Sequence, residues 1–394
     1  MKIRILSVIP IFFSFTFLFL SSCNQAKQPK VEVSTVIPKP VIDTIRFDSL
    51  YTNIACFIAG MPFEGDSALL RRRNSEKWRS FSAEFDSSWQ NAKKSRLEPM
   101  KKWAEKELKE ESSSERPLFY PFSGPDILNA TTLFPNSRSY TLVGLEPVGD
   151  ILDVRKMNSE KLTTYLQSIE SSLNDIFRKS YFISKHMLND LQQENVNGAL
   201  PLLEVFLART GNKIRTIELI SLNDSGEVTA RNTSDLHTKL NRGVRIGFTT
   251  STGVRKTLQY FKVDLEDAGL AVNPAFIKYV QKTGEFSTYL KSASYLLHYK
   301  FFSEIRNLIL AQSAFLLQDD SGVAYRFFDK KKWKIKLYGQ YTEPISDFKG
   351  VTQEDLQAAY NQDAQHIEAL PFVLGYHWES RGINLMKASR ILNP

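Results

Sequence analysis

Apolar and polar positions along the chain follow two rhythms, one near two residues and one near 3.6, and the rhythm changes several times. The densest local signals run from Pro117 to Gly149. A short apolar strand leads into a Ser-Gly-Pro-Asp turn, a short helix follows, and a second strand ends in Gly-Leu-Glu-Pro. Before it, residues 41–62 alternate and then turn apolar, as a strand or short helix entering the core. Asp66 to Glu111 is charged and helical, with Trp78, Phe81, Phe85 and Trp89 in one stripe at spacings of three and four. Pro99 predicts a break before a second helix anchored by Trp103.

After Gly149 the cleanest helical face spans Asn158 to Lys179, with Asn158 or Ser159 placed to cap it. Further helices fit Phe182 to Gln193 and Ala199 to Arg209, the latter ended by Gly211. A period near two marks Lys213 to Leu222. Val244 to Thr249 and Val254 to Leu265 predict a hairpin through Thr250-Ser251-Thr252-Gly253. Helical spacing predicts Pro274 to Thr283, Phe286 to Tyr299 and Phe302 to Gln318. Strands are expected at Val323 to Phe328 and Trp333 to Tyr341, and a helix capped by Thr352 runs to Gln362. The apolar stretch Leu370 to Trp378 packs on the body. These elements predict an α/β (or α+β) fold: a mixed sheet with a Rossmann-like unit at 117–149, antiparallel hairpins at 213–265 and 323–341, and many packed helices. Hydrophobics at 42 % and aromatics at 12 % suffice for a sizeable core, and no Pro/Gly/Ser-rich linker divides it, so residues 45–394 read as one body.

The N-terminus changes the picture. Lys2 and Arg4 precede an uncharged run from Ile5 to Leu20, and then Leu20-Ser21-Ser22-Cys23. That order is a secretory signal, 1–22, with small residues before the cut. The Leu-Ser-Ser-Cys arrangement resembles the lipobox of bacterial lipoproteins. The resemblance implies diacylglycerol on the Cys23 sulfur, cleavage before it, and anchorage to the membrane; Asn24 to Val31 carries no acid of the kind that sends some lipoproteins to the cell surface, which favours the periplasmic face. Residues 23–44 then form a tether. The formal charge of +8 falls by two when Lys2 and Arg4 leave, too small a surplus to argue for nucleic acid. The run Lys330-Lys331-Lys332 reads as a polar turn and outer strand face, its alternative being contact with anionic headgroups or acidic glycans. With Cys23 lipidated, Cys56 has no disulfide partner and sits in an apolar run as a buried thiol.

Candidate chemistry is sparse. Strand, glycine turn, helix, strand and acid is the order of the first half of a Rossmann-like unit, whose acid holds ribose hydroxyls. Phe134-Pro135-Asn136 leading to Val143-Gly144-Leu145-Glu146-Pro147 resembles the matching stretch of class I methyltransferases, with Glu146 as the ribose acid. The turn Phe122-Ser123-Gly124-Pro125-Asp126 carries one glycine. The same residues also read as structure: Ser123 or Gly124 as N-cap, Pro125 at the first helical position, and Asp126 at the positive helix end. Ser123 lacks a Gly-x-Ser-x-Gly elbow. Asp319-Asp320 could bind a cation or supply acid and base, or be a polar turn. The histidines 186, 237, 298, 366 and 377 show no metal spacing; His298 reads as a core residue, and His377 in Gly-Tyr-His-Trp is the one to test. No cofactor or metal is expected. The leading expectation is a lipid-anchored protein that binds a ligand, an envelope protein or a glycan without catalysis. The alternatives are an envelope hydrolase or transferase acting on glycan or lipid, using Ser123, Asp126, Glu146 and Asp319, Asp320 or His377, and a structural subunit presenting its Trp78–Trp89 helix.

Overall fold

A computed structural model describes residues 49–181, 198–230, 242–293, 295–378 and 382–391. Cys23, the tether, the 182–193 helix, His186 and His237 lie outside the described residues. Ten strands form one mixed sheet: β1 (Leu118–Tyr120), β2 (Ser139–Gly144), β3 (Lys213–Leu222), β4 (Val228–Ala230), β5 (Arg242–Thr249), β6 (Arg255–Lys262), β7 (Phe286–Leu290), β8 (Ser313–Gln318), β9 (Trp333–Gly339) and β10 (Asn384–Arg390). Their spatial order is β4-β3-β5-β6-β2-β1-β7-β8-β10-β9. The middle five, β6-β2-β1-β7-β8, are parallel neighbours. The flanks are antiparallel: β3, β4 and β5 on one side, and β10 between β8 and β9 on the other. The fold is therefore α/β with a mixed sheet.

Both faces of the central strands are covered, which is why those strands are apolar throughout. Leu118 and Tyr120 of β1 join one core with Phe315 and Leu317 of β8, while Phe119 and Leu316 point into a second. The first core is roofed by helices Leu50–Ile58, Glu76–Ala92, Glu98–Glu107, Ile127–Leu133, Ser159–Lys179 and Leu200–Arg209. The second is roofed by Ala275–Thr283, Ser303–Gln312 and Glu354–Gln362. Burial of Trp78, Phe81, Phe85 and Trp89 makes their stripe a core face and removes it as a presented surface. No described helix is long and apolar enough to cross a membrane.

Several expected elements change. Phe286 to Tyr299 is not a helix; it holds strand β7 and a short 3-10 turn, Leu296–His298. The expected Phe302–Gln318 helix is a helix to Gln312 and then strand β8. A short strand buried on both faces has no alternation, so its apolar run merges with flanking helical spacing. Val323 to Phe328 contains a 3-10 turn instead of a strand, so no hairpin forms at 323–341; β9 pairs with β10. Pro99 does not end its helix. A π-turn at Lys93–Leu97 precedes it and the chain continues helical to Glu107, because the wider turn accommodates a residue lacking an N–H. The Glu354–Gln362 helix starts from Gln353, not from a Thr352 cap.

Candidate functional site

The turn after β1 is tied to β2. Ser123 N and Gly124 N both donate to Val143 O, at 2.8 and 3.3 Å. In dinucleotide-binding turns such N–H groups cradle phosphate; here the strand carbonyl takes them. The closeness needs glycine on both sides: a Cβ on Gly144 would lie 3.0 Å from Gly124 Cα and 2.7 Å from the Tyr260 hydroxyl, and would collide with Glu146 Oε2. Helix Ile127–Leu133 starts from Asp126, whose carboxylate accepts from Asn129 N at 3.1 Å, so the cap is Asp126 and not Ser123 or Gly124. Asp126 is spent as a staple. Lys291 Nζ pairs with it at 2.9 Å, the Tyr120 hydroxyl donates to it at 3.0 Å, and Asn129 Nδ2 donates to both its oxygens. Burial pushes the Lys291 pKa down, and Asp126 opposes that shift. Lys291 also donates to Ser180 O.

Above the carboxyl ends of four parallel strands lies a cavity of about 360 Å³. Its lining comes from the segments after β1 (Phe122 to Gly124), β2 (Leu145, Glu146), β6 (Val263 to Leu265) and β7 (Lys291 to Ala293), with aromatic walls from Phe302, Phe348 and Tyr376. Strand order reverses between β1 and β7, so the cavity sits at the topological switch point, where open α/β sheets bind ligands. Glu146 is buried at the end of β2 and accepts from the Tyr260 hydroxyl at 3.2 Å. Asp264, exposed, stands in the matching place after β6.

Backbone strain collects around this cavity. Five non-glycine residues with positive φ occur among the described residues, and four touch the site or its supports. Phe122 (φ 59°) and Ser292 (φ 52°) line the cavity. Ser180 (φ 72°) offers its carbonyl to Lys291, and Tyr295 (φ 59°) donates its hydroxyl to Asp320 at 2.7 Å. Each such conformation costs on the order of 1 kcal/mol or more and persists where surrounding structure enforces it, as at functional sites.

The predicted residues do not all converge. Ser123 and Glu146 share the cavity, but the Ser123 hydroxyl donates to Gly124 O (2.8 Å) and Val143 O (3.2 Å). Asp126 lies beneath, Asp319 and Asp320 lie behind the β7 end, and none of the three lines the cavity. Asp319 and Asp320 are not a solvated turn; both are buried. Asp319 holds Ser292 N at 2.9 Å and Ser321 N at 3.0 Å, while Asp320 accepts from Tyr295 and Asn384. Burial, and then Asp320, push the Asp319 pKa up to about 6. His377 Nε2 lies 3.8 Å from Asp320 Oδ1, and that carboxylate raises its pKa. His298 is buried, and burial followed by Arg326 pushes it down to about 4. Burial holds the Cys56 thiol near 11, so it is protonated and unreactive at neutral pH. Among the described residues no cluster of three or more metal-ligating acids, histidines or cysteines occurs.

The sequence reading missed Asp264, Lys291 and Ser292. Asp264 was hidden because the predicted strand ran on to Leu265, whereas β6 ends at Lys262 and leaves the acid just past it. Lys291 and Ser292 were hidden because β7 read as helix. Compared with protein-family models, curated proteins and solved structures, the chain matches none.

Proposed function

We propose that this is a lipid-anchored protein of the bacterial envelope, held by Cys23 and facing the periplasm, that binds a small phosphate-free ligand of nucleoside type without catalysis. The observation that carries the reading is the cavity at the switch point, with Glu146 and Asp264 at the ends of adjacent parallel strands. Carboxylates there accept from hydroxyl or amino groups, and the aromatic walls suit a flat apolar ring. Phosphate is disfavoured because the N–H groups of the first turn are already bonded to Val143 O. The described lining residues include no histidine or cysteine, and the Ser123 hydroxyl is bonded to backbone, which supports binding over nucleophilic catalysis.

A second reading, group transfer, is favoured by the strand order. Numbered in chain order, the parallel strands run 3-2-1-4-5, and a reversed β10 is inserted before β9. This order is similar to that of the class I methyltransferases which the 117–149 stretch resembles. Methyl transfer needs no protein nucleophile, so the bonded Ser123 does not count against it.

Calorimetric titration of the full-length protein with adenosine, other nucleosides and their 5′-phosphates tests the binding reading. Nucleosides are expected to bind and the phosphates to bind more weakly. Glu146→Gln should weaken nucleoside binding at least ~10-fold, the loss expected for a hydrogen bond to a charged group. Absence of binding by every nucleoside would sink it. Turnover of an S-adenosyl donor would favour the second reading. The anchor is tested by metabolic labelling with palmitate, which Cys23→Ala should abolish.

A further inference from the structure

We infer that Ser292 is a ligand-contacting residue that receives a second polar end of the ligand, opposite the end held at Glu146. The inference rests on the cavity being a ligand site. Ser292 lines it from the end of β7, in the left-handed region at φ 52°, where glycine is the unstrained residue. Its backbone is fully used: N–H donates to Asp319 Oδ2 at 2.9 Å, and the carbonyl accepts from the Tyr376 hydroxyl at 3.1 Å. Glycine would preserve both bonds and remove the strain. What serine adds is the hydroxyl, and that oxygen is shielded from water and has no hydrogen-bond partner among the described residues.

A shielded hydroxyl without a partner among the described residues, in a strained residue, carries two costs that none of those residues offsets. Space is kept free beside it by Gly375, where a Cβ would lie 3.3 Å from Ser292 Oγ. One staggered rotation about χ1 redirects a serine hydroxyl, so it can meet a group seated in the cavity. The ends of β2 and β7 stand on either side of β1, two strand spacings apart, about 10 Å. The ligand class is therefore two-ended: donors for Glu146 at one end and, roughly that distance away, a carbonyl or carboxylate oxygen accepting from Ser292.

The test titrates wild type, Ser292→Gly and Ser292→Ala with adenosine and with adenosine carrying a carboxyalkyl tail at its 5′ position. Adenosine alone reports the Glu146 end. In wild type the tail should tighten binding about 3- to 10-fold, the range for one neutral hydrogen bond. Both variants should lose that gain and keep wild-type affinity for adenosine. Ser292→Gly should also unfold at the same or higher urea concentration than wild type, which keeps the test valid if Ser292→Ala folds poorly. A tail that adds nothing to wild type, a gain that survives Ser292→Gly, or a destabilised Ser292→Gly would each overturn the inference while leaving the ligand site standing. Failure of adenosine to bind wild type at all would overturn both.

Discussion

Two buried carboxylate sites flank the cavity, and they are neutralised in different ways. Asp126, at the end of the β1 turn, faces a cation, Lys291, at 2.9 Å, with Arg96 as a second charge acting on Lys291. Asp319 and Asp320, at the end of β8, face each other and are held by neutral donors: Ser292 N, Ser321, Tyr295 and Asn384. His377 Nε2 lies 3.8 Å from Asp320 Oδ1, and the charge of Lys291 also interacts with Asp319. The Asp126–Lys291 pair ties three segments together: the β1 turn, the Ile127–Leu133 helix and the β7 end. Asp319, held by neutral donors beside a second carboxylate, binds its proton more tightly, its pKa pushed up by burial and then by Asp320. The first site is a clamp under the cavity. The second supports the strained Ser292 and changes with conditions.

The largest effect should come from breaking the clamp. Lys291→Met leaves Asp126 buried without its cation, a situation that costs about 3–5 kcal/mol. Urea denaturation of the full chain should show that loss. Adding Asp126→Asn should restore most of it, since asparagine still caps the helix and no longer carries charge. A double variant no more stable than Lys291→Met would mean that the lysine acts through packing and not through the pair.

The second prediction concerns pH at the Asp319 site. A carboxyl raised from the usual range to about 6 binds its proton more tightly in the folded chain than in the unfolded one. Its stabilisation is complete below about pH 4 and is lost as pH rises through 6, amounting to about 3 kcal/mol. His377, raised by Asp320, adds a second loss of the same sign as pH climbs through its own folded value. Glu204, buried in helix Leu200–Arg209 and held near 8 by burial, also loses stability with rising pH. Stability should therefore be measured from pH 4 to 8 in a Glu204→Gln, His298→Gln background, because His298, pushed down to about 4, gains stability with rising pH over the same window; the remaining fall through pH 6 belongs to the Asp319 site. His377→Gln should remove the upper part of the slope and leave the lower part. A flat profile would place cationic compensation at both sites and erase the contrast.

The contrast also explains what was legible in the sequence. Asp126 was readable as a helix-end acid, because capping is local and follows from its position just before Ile127. The two outer elements of the Rossmann-like unit, β1 and β2, were readable for the same reason. Lys291 was not, because its partner lies 165 residues away in sequence and β7 itself carries no alternation. Asp319 and Asp320 looked like a solvated turn because Ser321-Gly322 follows them. Their burial depends on Asn384 and His377, which arrive from the far end of the chain. Glu146 was placed correctly at the end of β2, but the cavity above it is assembled from four strand ends, and two of those were misread or unassigned as site elements. Local chemistry was visible; the long-range pairing that turns a carboxylate into a clamp or a proton store was not.

The smallest effect is expected at Ser123, which takes part in both readings of the first turn. The Ser123 hydroxyl donates to Gly124 O and Val143 O and also lies 3.2 Å from Val143 N, so it pins the turn to β2. Ser123→Ala should cost about 1 kcal/mol in urea denaturation, the net value of a buried hydrogen bond. Nucleoside affinity should stay within about twofold of wild type, because the residue that meets the ligand on this side is Glu146. If stability instead stays at the wild-type level while affinity falls tenfold or more, Ser123 belongs to the binding surface. The cavity would then have a polar centre above β1 in addition to its two ends, and the role assigned to Ser123, a pin between the turn and β2, would be wrong.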